Sequence, residues 1–107
     1  MKIEMQDNTF DALNAKAEEA SALLSAMANG KRLMVLCSLL EGEKSVGQLA
    51  EIVGLSQAAL SQHLSKMRSL RLVGTRRDAQ TIYYRLTSPE AEKVLETLYS
   101  LYCAPKP

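Results

Sequence analysis

Residues 45–70 read SVGQLAEIVGLSQAALSQHLSKMRSL and hold two short helical segments on either side of one glycine. Ser45 precedes VGQLAEIV and Ser56 precedes QAALSQHLSKMRSL. A serine at a helix start accepts a hydrogen bond from one of the first backbone N–H groups, so each is read as a cap. Gly54 ends the first segment. In the second, Leu60, Leu64 and Met67 recur at spacings of four and three and share one face. Gln57, Ser61, Gln62, Ser65, Lys66 and Arg68 cover the remaining surface. Two short helices joined by GLS, the second polar outward, form the pattern of a helix-turn-helix.

Working outward, LVGTRR (72–77) and TIYYRL (81–86) are rich in residues that favour strands, and RDAQ between them is a polar turn. A two-stranded hairpin is therefore expected after the second helix. Thr87 or Ser88 caps a last helix, with Pro89 at its first position. Ala91, Val94, Leu95, Leu98, Leu101 and Tyr102 make its apolar stripe, and APKP ends it. Upstream, residues 8–28 predict a helix with Leu13, Ala17, Ala20, Leu24 and Met27 on one face and Asn8 or Thr9 as cap. Asn29-Gly30 breaks it. Residues 31–41 predict a second helix, ended by Gly42 and apolar nearly all round from Leu33 to Leu40, hence central.

The expected fold is mainly α with a β-hairpin wing: one winged helix-turn-helix domain over residues 1–107. Residues 45–70 form the helix-turn-helix and 71–87 the wing. The helices within 1–28 and 88–103 lie outside that unit, and their apolar stripes make them candidates for a dimer interface. A 107-residue chain with one Phe, four Tyr and no Trp also has few large rings with which to complete a core alone.

The net charge of +1 conceals a strong asymmetry. Residues 61–86 hold Lys66, Arg68, Arg71, Arg76, Arg77 and Arg85 against Asp78, a local +5 that leaves −4 for the rest. A basic segment over the second helix and the wing is an electrostatic footprint for an anionic partner, whose bland alternative is a solvated face. Short polar and basic side chains are what a groove-reading helix needs: Gln pairs with adenine edges, Ser donates or accepts, and Lys and Arg neutralise phosphate. Gln57, Ser61, Gln62 and Lys66 supply that chemistry on the helix, and Arg76 and Arg77 at the beginning of the wing tip. Double-stranded DNA is the expected partner, with an interaction module that uses the same surface for a protein as the alternative. The N-terminal MKIEMQDNTF has no apolar core of a signal peptide, and no run approaches the ~18 apolar residues of a membrane span, so a cytoplasmic protein without membrane partners is expected.

The stretches LSQAALSQHLSKMRSLRLV and RRDAQTIYYRL resemble the recognition helix and wing of the ArsR (ArsR/SmtB) family of bacterial winged-helix repressors, and the similarity spans roughly residues 20–102. The resemblance implies a homodimer formed through the first and last helices, and repression at an imperfect inverted repeat relieved by a small inducer. By motif, Ser56, Gln57, Ser61, Gln62, His63, Ser65 and Lys66 take the recognition-helix role, and Arg76, Arg77 and Gln80 the wing role. His63, the one histidine, has no His, Cys or carboxylate partner at helical spacing beside it, so it reads as a residue of the DNA-facing surface rather than a metal ligand.

The inducer turns on two cysteines. Metal-sensing members of the family carry a Cys-Val-Cys type motif on the helix before the recognition helix, where this chain has Ser45 and Gly47. Zinc-type members carry Asp and His on the last helix, where SPEAEKVLETLYSLYC has neither. A metal or metalloid site built from Cys37 and Cys103 stays open as the alternative, since soft metals need several thiolates or imidazoles. Cys37, within KRLMVLCSLLEG, has a strong reading as a small core residue. Cys103 ends the last helix and is accessible there. One cysteine on each of these helices is also the pattern of a BigR, SqrR and YgaV-like sub-group, a similarity that implies sensing of reactive sulfur species (persulfide, hydrogen sulfide) or oxidants by linking the two thiols. No catalytic residues, cofactor or metal are expected: a dithiol enzyme would need a C-x-x-C motif in a βαβ setting, which is absent.

Overall fold

A computed structural model describes residues 7–103. The chain runs α1 (Asp7–Met27), α2 (Gly30–Ser38), a 3-10 turn (Leu39–Glu41), β1 (Lys44–Ser45), α3 (Val46–Val53), α4 (Gln57–Ser69), β2 (Val73–Asp78), β3 (Thr81–Leu86) and α5 (Pro89–Tyr102). This is the expected winged helix-turn-helix, with one addition. The sheet has three strands in the order β1-β3-β2, all antiparallel, rather than the two of a hairpin. β1 escapes sequence reading because two residues carry no alternation, and it exists through pairing of Lys44 with Tyr84 and Ser45 with Tyr83.

Local chemistry sets most boundaries. Asn29 does more than break α1: its side chain accepts from the N–H groups of Lys31 and Arg32 at 3.0 and 3.1 Å and starts α2. Ser45 and Gln48 form a reciprocal capping box at α3. Gly54 closes α3 at φ 69, a left-handed turn in which its N–H and that of Leu55 both reach Ala50 O. Ser56 caps α4 through Ala59 N at 3.1 Å, and Ser88, not Thr87, caps α5 through Ala91 N at 3.1 Å. Asn8 and Thr9, expected as caps, lie inside α1 instead. The second helix stops at Ser38 and tightens into the 3-10 turn before Gly42. The APKP segment falls outside the described residues.

The core gathers Val35 and Leu36 of α2, Leu49 and Val53 of α3, Leu60, Leu64 and Met67 of α4, Leu72 and Val73 at the root of the wing, and Ala91 and Leu95 of α5. All three apolar positions expected on α4 face inward, which leaves its polar residues outside. α2 is central as expected, but not on every side: Met34 is 47% exposed and Cys37 half-buried.

The last part of the first helix joins this core through Ala26 and Met27, with Leu23 packed against it, and the rest leaves it. The chain turns by 92° between α1 and the Gly30–Glu41 segment. Phe10, Leu13 and Leu24, on one helical face, are 58%, 53% and 57% exposed, and Tyr99, Leu101 and Tyr102 at the end of α5 are 51%, 63% and 82% exposed. The radius of gyration, 16.0 Å, exceeds the ~13 Å of a compact chain of this length because of that projecting arm. Among the described residues, no single helix is long and apolar enough to cross a membrane.

Candidate DNA-reading surface and thiol pair

α4 carries the first group of candidate residues. Ser56 sits at its N-terminus, where its hydroxyl oxygen accepts from Ala59 N, which leaves the O–H proton and a second lone pair for a partner outside. Gln57, Ser61, Gln62, Ser65 and Lys66 are exposed, and among the described residues no side-chain hydrogen bond occupies them. Ser61, Gln62, Ser65 and Lys66 fall at spacings of one, three and four, so they form one outward strip of donors and acceptors ending in a positive charge. His63 departs from that strip. It is half-buried beside the Leu60–Leu64–Met67 stripe, at the flank of the exposed face.

The wing carries the second group, and here the two arginines differ. Arg77 is exposed on β2 opposite Ile82, and Gln80 is exposed in the two-residue Ala79–Gln80 connection. Arg76 points to the other face of the strand and is engaged. Its Nε donates to both carboxylate oxygens of Glu43 at 2.8 Å, and its Nη2 lies 2.6 Å from Glu43 Oε1. Its guanidinium also stacks 4.5 Å from the centroid of the Tyr83 ring, the residue directly opposite on β3. The hydrogen bond from Arg76 holds the Glu43 carboxyl below its usual range, and the same bond raises Arg76. Glu43 is the residue sequence reading missed. It stands 33 positions from Arg76, and only the register of β1 on β3 brings the two together.

The thiols form the third group. Cys37 lies on α2 against the core and Cys103 is exposed just past the end of α5, where its N–H donates to Tyr99 O at 2.8 Å. Both are free thiols. The Cys37 thiol is pushed above its ordinary value, first by burial and second by negative charge on Cys103. The nearby cations do not offset this. Lys31 Nζ donates to Val53 O at 2.6 Å, and Arg32 Nε donates to Ala26 O at 2.8 Å, so both serve helix ends. Among the described residues, no three His, Cys, Asp or Glu side chains converge on one point.

Residues 29–75 match the family model described as "Bacterial regulatory protein, arsR family". The nodulation protein NolR of Rhizobium meliloti is 59% identical over 86 residues, 80% of this chain and 70% of that protein. The biofilm growth-associated repressor of Xylella fastidiosa is 39% identical over 105 residues, 94% of this chain and 92% of that protein. Among solved structures, reduced HlyU from Vibrio cholerae superposes with a TM-score of 0.84 at 47% identity, covering 87% of this chain and 98% of that one. The chain belongs to the arsR family of bacterial regulatory proteins.

Proposed function

We propose that this chain is a homodimeric transcriptional repressor that binds an inverted-repeat operator in double-stranded DNA and is released when Cys37 and Cys103 become linked. The observation that carries the reading is the placement of the two free thiols: one on core helix α2, one at the end of α5, which packs against α2. The exposed strip on α4, with Arg77 and Gln80 of the wing, supports the DNA contact. The apolar faces of α1 and of the end of α5 support the dimer. Two such protomers hold their recognition helices about 34 Å apart, one turn of DNA, and so read two half-sites. The similarity to the biofilm growth-associated repressor favours repression.

The chemistry follows from exposure. The Cys103 thiolate attacks the outer sulfur of a low-molecular-weight persulfide, expels that molecule's thiolate and becomes Cys103–S–SH. Cys37 then attacks the inner sulfur, closing a disulfide and releasing hydrogen sulfide. If Cys37 has also become a persulfide, the two condense to a trisulfide with loss of the same product. A disulfide needs Cα atoms within roughly 4.4–6.8 Å, and each added sulfur relaxes that limit. Either bridge ties α5, at the dimer interface, to α2 in the core, and so favours a second arrangement of the two recognition helices. A coupling of about 3 kcal/mol between the bridge and DNA weakens binding by more than ~100-fold.

A mobility shift on the chain's own promoter region tests this. Reduced protein binds; a persulfide releases it; zinc and arsenite leave it bound. Release by zinc or arsenite, with persulfide inert, assigns the same cysteines to a metal or metalloid site instead.

A further inference from the structure

The Glu43–Arg76–Tyr83 cluster joins parts of the molecule that the reading above treats separately. Tyr83 is paired on one side with Ser45 of β1 and on the other with Arg76 of β2. Glu43 stands two residues before Ser45, and Ser45 is the cap of α3. The salt bridge thus ties the wing, through the short β1, to the start of the helix-turn-helix. β1 supplies only two paired residues, a weak attachment by itself. The guanidinium fork meets the carboxylate with both oxygens and is stacked on an aromatic face, a geometry that fixes orientation as well as distance.

We propose that Glu43 is a positioning residue for DNA binding. It holds Arg76, and with it the wing, in place, so that Arg77 and Gln80 make the wing's contacts while Arg76 makes none. This rests on the DNA-binding reading above. The wing tip lies three to four residues beyond Arg76, about 10–13 Å along the strand. A swing of ~10° at that point displaces the tip by about 2 Å, enough to break a hydrogen bond to a base edge or phosphate.

The test measures DNA affinity as a function of salt for the parent protein and for Glu43→Gln, Arg76→Gln, Arg76→Lys, the double variant Glu43→Gln/Arg76→Gln, and Arg77→Gln, each checked for folding by circular dichroism. Losing a phosphate contact lowers the log–log salt slope by about 1, and Arg77→Gln does this. Glu43→Gln weakens binding by about fivefold at every salt concentration without changing the slope, and the double variant is no weaker than either single one. Arg76→Lys does not rescue, because a lysine cannot form the fork. The proposal is overturned if Glu43→Gln tightens binding or leaves it unchanged, or if Arg76→Lys restores affinity while Arg76→Gln lowers the slope. Those results leave DNA recognition by α4 standing. Failure of the reduced parent protein to bind any promoter DNA overturns both readings at once.

Discussion

Replacing Leu13 and Leu24 together by alanine removes apolar surface that the protomer does not use. The two side chains are 53% and 57% exposed and lie on one face of α1. Full burial of a leucine side chain contributes about 2 kcal/mol, so covering the exposed half contributes about 1 kcal/mol, of which alanine retains a small part. A two-fold interface uses each residue twice. Four truncated side chains therefore cost about 3 kcal/mol of dimerisation, a dimer roughly 100-fold weaker. Sedimentation velocity over a concentration series reads this directly. Ile52→Ala serves as control: Ile52 is 44% exposed but sits on α3, away from the proposed interface, and its loss leaves the dimer unchanged. Thermal unfolding of the diluted monomer should move little, because neither leucine belongs to the core. A dimer constant within threefold of the parent's, or an equal loss with Ile52→Ala, would refute the assignment of this face.

Three other outcomes follow from single positions. Ser56→Ala removes the cap of α4 and lowers stability by about 1 kcal/mol, some 4–8 °C in Tm by calorimetry, with a further loss of DNA affinity as the first turn frays. Ala79→Gly raises Tm by a similar amount, since Ala79 holds φ 56, a left-handed conformation that glycine adopts without steric cost. Iodoacetamide followed by mass spectrometry modifies Cys103 before Cys37, and the Cys37 rate keeps rising with pH beyond the ordinary thiol range of about 8.5, because burial and the Cys103 charge disfavour its thiolate. The sign for stability agrees: the raised Cys37 value favours the folded state while the thiol is neutral, and that contribution is lost as pH rises through the folded-state value.

Signals confined to a few neighbouring residues were legible in the sequence. Ser45, Gly54 and Ser56 state where two helices begin and end, and Leu60, Leu64 and Met67 state which side of α4 turns inward. Ser88 and Pro89 do the same for α5. What the sequence hid was set by tertiary pairing. β1 exists because two residues meet β3, and Glu43 reaches Arg76 only through that register. Charge and motif group Arg76 with Arg77 as wing residues; alternation along the strand sends them to opposite faces, and among the described residues Arg76 alone of the two has a salt-bridge partner, Glu43. The Asn8 or Thr9 cap failed for a related reason: cap residues are informative where a helix starts, and α1 already includes both. Both cysteines were visible, but that Cys103 charge is felt at Cys37 depends on how α5 lies against α2.

In the proposed function, a covalent tie between Cys37 and Cys103 releases the protein from DNA. Its most direct measurement titrates one sample with a low-molecular-weight persulfide and reads two quantities at each point: the fraction of chains bridged between the two cysteines, by mass spectrometry, and the fraction released from promoter DNA, by fluorescence anisotropy. The two curves coincide, a reducing thiol reverses both, and Cys37→Ser and Cys103→Ser each stay bound throughout. Release without a bridge, or a full bridge on protein that remains bound, would contradict it.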